Sequence, residues 1–367
     1  MKILLDLTPQ QIANELGPLN LPQYKAMQVY KWLIKGKTFD DMSDVDKTTR
    51  ALLKEKYIDQ PCVVVKEVVS KDGTRKFLLR LFDGNIIESV LMSYKYGNTV
   101  CVSTQAGCRM GCVFCASALS GLARNLSAGE ILGQVIVANL VAECAKTAGS
   151  RGASAATGGL GKERSVTNVV LMGSGEPFDN YQNVVSFLKL ANDKAGLNIS
   201  LRNISLSTCG LVKEMKKFAD EGLPVNLTIS LHSPFDDKRA EIMPIAKKFK
   251  VNEVVGAARD YFNKTGRRVI FEYCLIEGKN DTQKDAEKLA ELLRGMSAHV
   301  NLIRLNSVKE CSIAATADKD AKQFLRLLED RGVSVTMRRS MGADIGGACG
   351  QLRIKFGGQN TPASSDK

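Results

Sequence analysis

The chain has 367 residues, 44% of them hydrophobic and 25% charged, with a formal net charge of +12. That length supports one large core plus a smaller module, and no run approaches the roughly 18 apolar residues of a membrane helix. The start, MKILLDLTPQQ, has no basic leader region or long apolar run, so a cytoplasmic location with no membrane partner is expected. The basic balance suits a phosphate backbone as partner, though a solubilising surface is equally open. Ten cysteines in so long a chain do not suit a disulfide scaffold, which belongs to short secreted proteins.

Residues 1–60 read as a small three-helix module. Thr8 caps TPQQIANEL with Pro9 at the first helical position. PQYKAMQVYKWLIKG places Ala26, Val29, Tyr30 and Leu33 at helical spacing and stops at Gly36. SDVDKTTRALLKEKY opens on a further cap. Lys25, Lys31, Lys35 and Lys37 suit either phosphate contacts or a solvated face, and the solvated face is the expectation for each. Residues 61–93 read as a strand extension, with CVVVKEVVS and TRKFLLRLF joined by Lys71-Asp72-Gly73 and a second turn at Asp83-Gly84.

From residue 94 helices and strands alternate. SAGEILGQVIVANLVAECAK reads as a capped amphipathic helix, and TNVVLMG, NISLSTCG, VNLTISLHS, RVIFEYCLI, HVNLIRLN and VSVTMRR as strands. About six β–α units imply parallel strands, fewer than the eight of a full (β/α)₈ barrel. The expected class is α/β, a partial (β/α)₆ barrel over 94–343 with a C-terminal segment, 344–367. TAGSRGASAATGGLGKER (147–164) reads as a flexible inserted loop, and GGQNTPASSDK as a disordered tail.

GCRMGCVFCAS holds Cys108, Cys112 and Cys115 within eight residues. A cubane [4Fe–4S] cluster has four irons, so three thiolates leave one open, and an open position marks chemistry rather than scaffolding. Phe114 adds an apolar surface. The alternative is a zinc site in a non-catalytic RNA-binding module, but His232 and His299 are the only histidines and neither lies near a cysteine pair.

CxxxCxxC at the exit of the first barrel strand resembles the radical S-adenosylmethionine (SAM) superfamily. VCVSTQAGCRMGCVFC, RNLSAGEI, LMGSGEP, LSTCG, SLHSP and ADIGGACGQL resemble the RlmN/Cfr family of RNA adenosine methyltransferases. The resemblance runs from the N-terminal helices to Gln351. It implies one [4Fe–4S] cluster on Cys108, Cys112 and Cys115, chelated at its open iron by SAM, with two SAM molecules used per turnover. Adenine C2 and C8 are electrophilic carbons, which ordinary methyl displacement cannot serve. The resemblance therefore implies Cys349 as a methyl-carrying cysteine, Cys101 as the thiol that resolves the intermediate through a disulfide, and Glu88 as proton acceptor. It implies SAM contacts at Gly175, Glu176, Ser207, Ser230, Leu231, His232 and Asn306. Read alone, Glu88 is a solvent-side strand residue, His232 a satisfied core histidine and GxGEP only a turn.

Pro177 matches the C2-methylating RlmN branch, where the C8-methylating Cfr branch typically has Ala, and a Cfr-like activity stays open. GGACG replaces the more usual DAACG. The implied partners are 23S rRNA, tRNA and an electron donor such as flavodoxin, with a monomeric enzyme expected. Cys62, Cys144, Cys209, Cys274 and Cys311 read as core or incidental.

Overall fold

The protein is described by a computed structural model over residues 1–19, 21–149, 166–306, 313–352 and 355–356, with backbone alone at 144–149 and 355–356. Most of the 147–164 loop, the tail and Cys311 lie outside the described residues, as does the side chain of Cys144.

The N-terminal module contains β1 (Lys2–Ile3), α1 (Pro9–Leu16), α2 (Gln23–Ile34), α3 (Lys47–Lys56) and β2 (Tyr57–Ile58). The three expected helices are present, and β1 pairs in parallel with β2 across the module. Thr8 Oγ1 accepts from Gln11 N (3.3 Å) while Gln11 Oε1 accepts from Thr8 N (2.9 Å), a capping box that satisfies two free donors. Lys25 does not face open solvent. Its ammonium bonds Asp46, the cap of α3, and Thr49 Oγ1 (3.0 Å).

Next come β3 (Cys62–Val69), β4 (Arg75–Leu81), β5 (Asn85–Tyr94) and β6 (Gly97–Cys101), paired antiparallel in sequence. A short hairpin, β7 (Gln105–Gly107) with β8 (Leu122–Asn125), brackets the cysteine loop. Helices α4 (Ala128–Gly149), α5 (Tyr181–Asn192), α6 (Val212–Asp220), α7 (Asp236–Ile242), α8 (Val251–Thr265), α9 (Gln283–Leu293) and α10 (Asp318–Glu329) then alternate with β9 (Val166–Leu171), β10 (Ile204–Thr208), β11 (Asn226–Ser230), β12 (Val269–Leu275), β13 (Ala298–Arg304) and β14 (Val335–Met337). The sheet order is β14-β13-β12-β11-β10-β9-β6-β5-β4-β3, parallel from β14 to β6, and β15 (Lys355–Phe356) pairs with β5. Six crossovers and an unclosed sheet make the expected partial (β/α)₆ barrel, with the antiparallel strands prolonging one edge.

Strand alternation sorts the side chains. Val169, Leu171, Leu206, Leu227, Ile229, Phe271, Tyr273, Val300 and Leu302 join the helices in one core. The opposite, concave face carries Ser207, Thr228, Ser230, Glu272, Asn301 and Thr336, placed in line by register. Towards β5 the same face becomes apolar: Val90, Met92 and Cys101 form a small second core with Met341 and Leu352 of the C-terminal segment.

Helix α4 departs from the amphipathic reading. Its first half is buried almost all round, from Ala128 to Ile136. The sheet covers one side, and the N-terminal module and the start of β3 cover the other. Asp6 Oδ1 accepts from Gly129 N (2.6 Å). A Cβ on Gly129 would lie 2.8 Å from the Leu5 backbone, and one on Gly133 would lie 2.8 Å from Pro61 and from Cys62 Sγ. Among the described residues no helix is long and apolar enough to cross a membrane. Gly129→Ala is expected to cost about 1–3 kcal/mol by overpacking this seam, which thermal denaturation would register as a lowered Tm.

Candidate active site

One cavity opens at the carboxyl ends of the parallel strands, with about 910 Å³ of empty space, part of it open to solvent. This is ample for a small-molecule ligand, and it lies where barrel enzymes place their chemistry. Cys108, Cys112, Cys115 and Cys349 all line it, as do Gly175, Glu176, Ser207, Ser230, His232 and Asn306. Sequence-predicted residues from six segments of chain thus share one wall.

The cysteine loop is fastened from several directions. Cys108 N donates to Gly121 O (2.9 Å), Val113 N to Ile242 O (3.1 Å) and Ala116 N to Gly350 O (2.7 Å). The Arg109 guanidinium forks onto Asp179, with Nε–Oδ2 at 2.9 Å and Nη2–Oδ1 at 2.5 Å. Burial pushes all three thiols up, Cys108 to about 12, and each is raised further by the charge of a neighbouring cysteine. Such thiols ionise when a cationic metal centre offsets the cost. Among the described residues no three His, Cys, Asp or Glu side chains converge on a point that would hold a single metal ion. A zinc ion demands that convergence. In a cluster each cysteine binds its own iron, and the three thiols that would do so all line this cavity.

Glu176 follows the glycine turn after β9. Its Oε1 accepts from Phe178 N (3.0 Å) and its Oε2 from Cys209 N (2.7 Å), and burial raises its pKa. The carboxylate therefore staples two strand-end loops together while facing the cavity. Gly175 has φ +109°, and a Cβ there would lie 2.6 Å from that of Gln105, so only glycine fits.

His232 also sits at a left-handed φ, 57°. Its Nδ1 accepts from Cys274 N (2.9 Å), which leaves the proton on Nε2, and its ring meets Phe114 edge-on at 4.8 Å. Burial, aided by the Arg239 charge, pushes it down to about 3. The imidazole is a neutral, fixed wall.

The C-terminal segment is held at the cavity mouth. Asn306 Nδ2 donates to Cys349 O (3.0 Å) and Ser117 Oγ to Leu352 O (2.7 Å). Gly342 N donates to Asp72 Oδ2 (3.0 Å) and Lys71 N to Asp344 Oδ2 (3.2 Å), tying the segment to the β3–β4 turn. Cys101 and Cys349 share a second, smaller cavity with Arg338. Cys101 is pushed up to about 12 by burial, with a further rise from the Cys349 charge.

Besides Cys101, two expected site residues stand apart from the main cavity. Glu88 is buried, not solvent-facing, on the face of β5 shared with Val90 and Met92, and pairs with Lys76 at 3.3 Å. Lys76 in turn donates to Gly346 O (3.2 Å). The side chain of Leu231 is fully buried in the core, and its N–H donates to Glu272 O (3.1 Å). Cys209 and Cys274 belong to the core, as read, and also reach the cavity wall.

Sequence reasoning missed Glu272, Arg338 and Arg239. Glu272 and Arg338 line the cavity. Arg239 is fully buried and donates to the carbonyls of Leu231 (2.9 Å), Cys209 (2.7 Å) and Ser230 (3.2 Å), clamping the ends of β10 and β11. A carboxylate at an inward position of RVIFEYCLI was a visible signal for Glu272. Arg239 in DDKRAEI offered none.

Residues 159–293 match the family model of the radical SAM superfamily, and residues 3–58 match the ribosomal RNA large subunit methyltransferase N-terminal domain. The first match begins beyond the cysteine loop, so fold and cavity carry that loop's reading. A crystal structure of a radical SAM methyltransferase from Sphaerobacter thermophilus superposes with a TM-score of 0.88 at 40% identity, covering 96% of this chain and 99% of that one. Fold and site therefore define a radical SAM enzyme, a SAM-dependent methyltransferase. A relative from Clostridium perfringens, described as a probable dual-specificity RNA methyltransferase RlmN, is 47% identical over 359 residues, 97% of this chain and 98% of that one. Another so described, from Clostridium novyi, is 46% identical over 97% of this chain and 99% of its own length. The chain belongs to the RlmN family of radical SAM RNA methyltransferases.

The buried neutral His232 sets an expected pH dependence. Its unfolded pKa is about 6.5 and its folded value about 3, so the unfolded chain binds the extra proton and stability falls as pH drops below about 6.5. Urea unfolding of the wild type should lose up to about 1.4 kcal/mol per pH unit more than His232→Asn in that window.

Proposed function

We propose that this enzyme methylates C2 of an adenosine in the peptidyl-transferase region of 23S rRNA, and the adenosine 3′ of the tRNA anticodon, through a methyl-carrying Cys349. The observation that carries the reading is the convergence of Cys108, Cys112, Cys115 and Cys349 on one cavity. The dual-specificity description of the relatives supports two RNA substrates. Pro177, which lines the cavity, agrees with the C2 branch.

Cys108, Cys112 and Cys115 would hold a [4Fe–4S] cluster, which together with two SAM molecules per turnover supplies reductive cleavage to a 5′-deoxyadenosyl radical. The chain's own residues do the rest. Gly175, Glu176, Ser207, Ser230, His232 and Asn306 would form the cofactor wall, with Leu231 packed behind it. Phe114 and neutral His232 keep an apolar, uncharged surface beside the loop, which excludes water from a reactive site. Cys349 Sγ takes a methyl group by displacement and presents it to the base. Asn306 fixes its carbonyl from one side, and the bond from Ala116 N to the next carbonyl, Gly350 O, fixes the chain from the other. Loss of a hydrogen atom from that S-methyl group to the deoxyadenosyl radical would let its carbon add to the base, and Cys101, buried beside it, would then form a disulfide with Cys349 as the bond from Cys349 Sγ to that carbon breaks, with the carbon taking up a proton to become the new methyl and one electron returned. Glu88 would accept the proton, with its carboxylate oriented by Lys76. The target base must leave its stack to enter. The +12 charge suits the RNA backbone, a flavodoxin-type donor would supply electrons, and the enzyme would act as a cytoplasmic monomer.

Mass spectrometry of 23S rRNA and tRNA treated with the reduced enzyme should show 2-methyladenosine, and 8-methyladenosine alone would overturn the C2 assignment. Cys349→Ala should abolish methylation while iron content stays at the wild-type level. Cys115→Ala should lose the iron and the brown colour together.

A further inference from the structure

Glu272 lies on β12, 3% exposed, in the wall of the main cavity. Its Oε1 accepts from Asn301 Nδ2 (3.1 Å) and stands 3.6 Å from Arg338 Nη1. Its Oε2 is buried and has no hydrogen-bond partner among the described residues. A buried carboxylate oxygen without a donor is costly. One long ion pair and one neutral hydrogen bond do not make the group a stabilising feature, since a buried ion pair is weak support for a fold even when complete. The free oxygen therefore calls for a ligand donor.

Register says which ligand. Glu272 pairs directly with Ser230 of β11 on one side and Asn301 of β13 on the other. Neighbouring strands lie about 4.8 Å apart and directly paired residues share a face. A ligand that touches the Ser230 hydroxyl is therefore within reach of Glu272. A carboxylate at such a spot accepts from hydroxyl or amine groups, and a vicinal diol offers two adjacent donors. Acidic side chains that grip ribose hydroxyls recur in dinucleotide sites for the same reason. A nucleotide within an RNA strand has its 3′ oxygen esterified and offers no such diol, whereas a free nucleoside cofactor does.

We propose that Glu272 binds the ribose diol of SAM, with Oε2 as acceptor and with Asn301 and Arg338 fixing the carboxylate. The proposal rests on the reading of this cavity as the SAM site.

Equilibrium dialysis on full-length, anaerobically reconstituted protein, with SAM and its 2′,3′-dideoxy analogue as probes, tests it. Wild type should bind the analogue about 10- to 100-fold more weakly than SAM, the worth of hydrogen bonds to a charged acceptor. Glu272→Ala should weaken SAM by a similar factor and no longer distinguish the two probes. Glu272→Gln should fall between, with iron content and Tm as in the wild type. Equal binding of both probes by the wild type overturns the proposal without reference to any variant. So does undiminished discrimination in Glu272→Ala, or a loss confined to RNA affinity. In those cases SAM still binds and only the role of Glu272 falls. If the wild type binds no SAM, the cofactor reading falls with it.

Discussion

Parallel strands that turn oily residues outward and polar ones inward govern this molecule. The outward residues bind the helices into one core. Of the inward ones, Ser207, Ser230 and Glu272 line a hollow that an unclosed sheet leaves unfilled, with Thr228 and Asn301 beside them in register. A full eight-stranded barrel packs its interior with branched aliphatic layers. Here the cavity wall mixes apolar side chains with a few polar ones, and the chain from Met341 to Leu352, packed over Val90 and Met92, closes it on one flank.

The cysteine loop depends on that frame because the loop itself has little regular structure. Hairpin β7–β8 anchors its base, the α7 end holds its middle, and the C-terminal segment holds its exit. Arg239 reinforces the same region from beneath by donating to the carbonyls of Leu231, Cys209 and Ser230, so its charge faces backbone dipoles at the ends of β10 and β11. Burial of the thiols, left uncompensated, opposes their ionisation. A cationic metal centre would reverse that balance.

Much of this was readable from the chain. Period and turn chemistry gave the three N-terminal helices, the hairpin at Asp72-Gly73 and the β–α alternation, because each is a local property. The nearness of Cys108, Cys112 and Cys115 was legible because their spacing puts them on one loop, and all three line the cavity. What stayed hidden depended on distant partners. The burial of α4 on both sides follows from a module docking on it some 120 residues away in sequence, as in the Asp6–Gly129 bond. Glu88 looked solvent-facing because an alternating strand does not reveal that a C-terminal segment will cover its polar side. Arg239 sits in a charged stretch whose pattern resembles any solvated helix, and only folding shows its burial. Cys209 and Cys274 read as core because single cysteines usually are, and both do belong to the core while also reaching the cavity wall.

Helix α4 serves the barrel and the N-terminal module at once, with Gly129 and Gly133 pressed against both neighbours' backbones or side chains. Tilting the module away would uncover apolar surface along the whole first half of that helix. The module and the barrel are therefore fastened through one shared helix, so a change at either glycine loosens both at once.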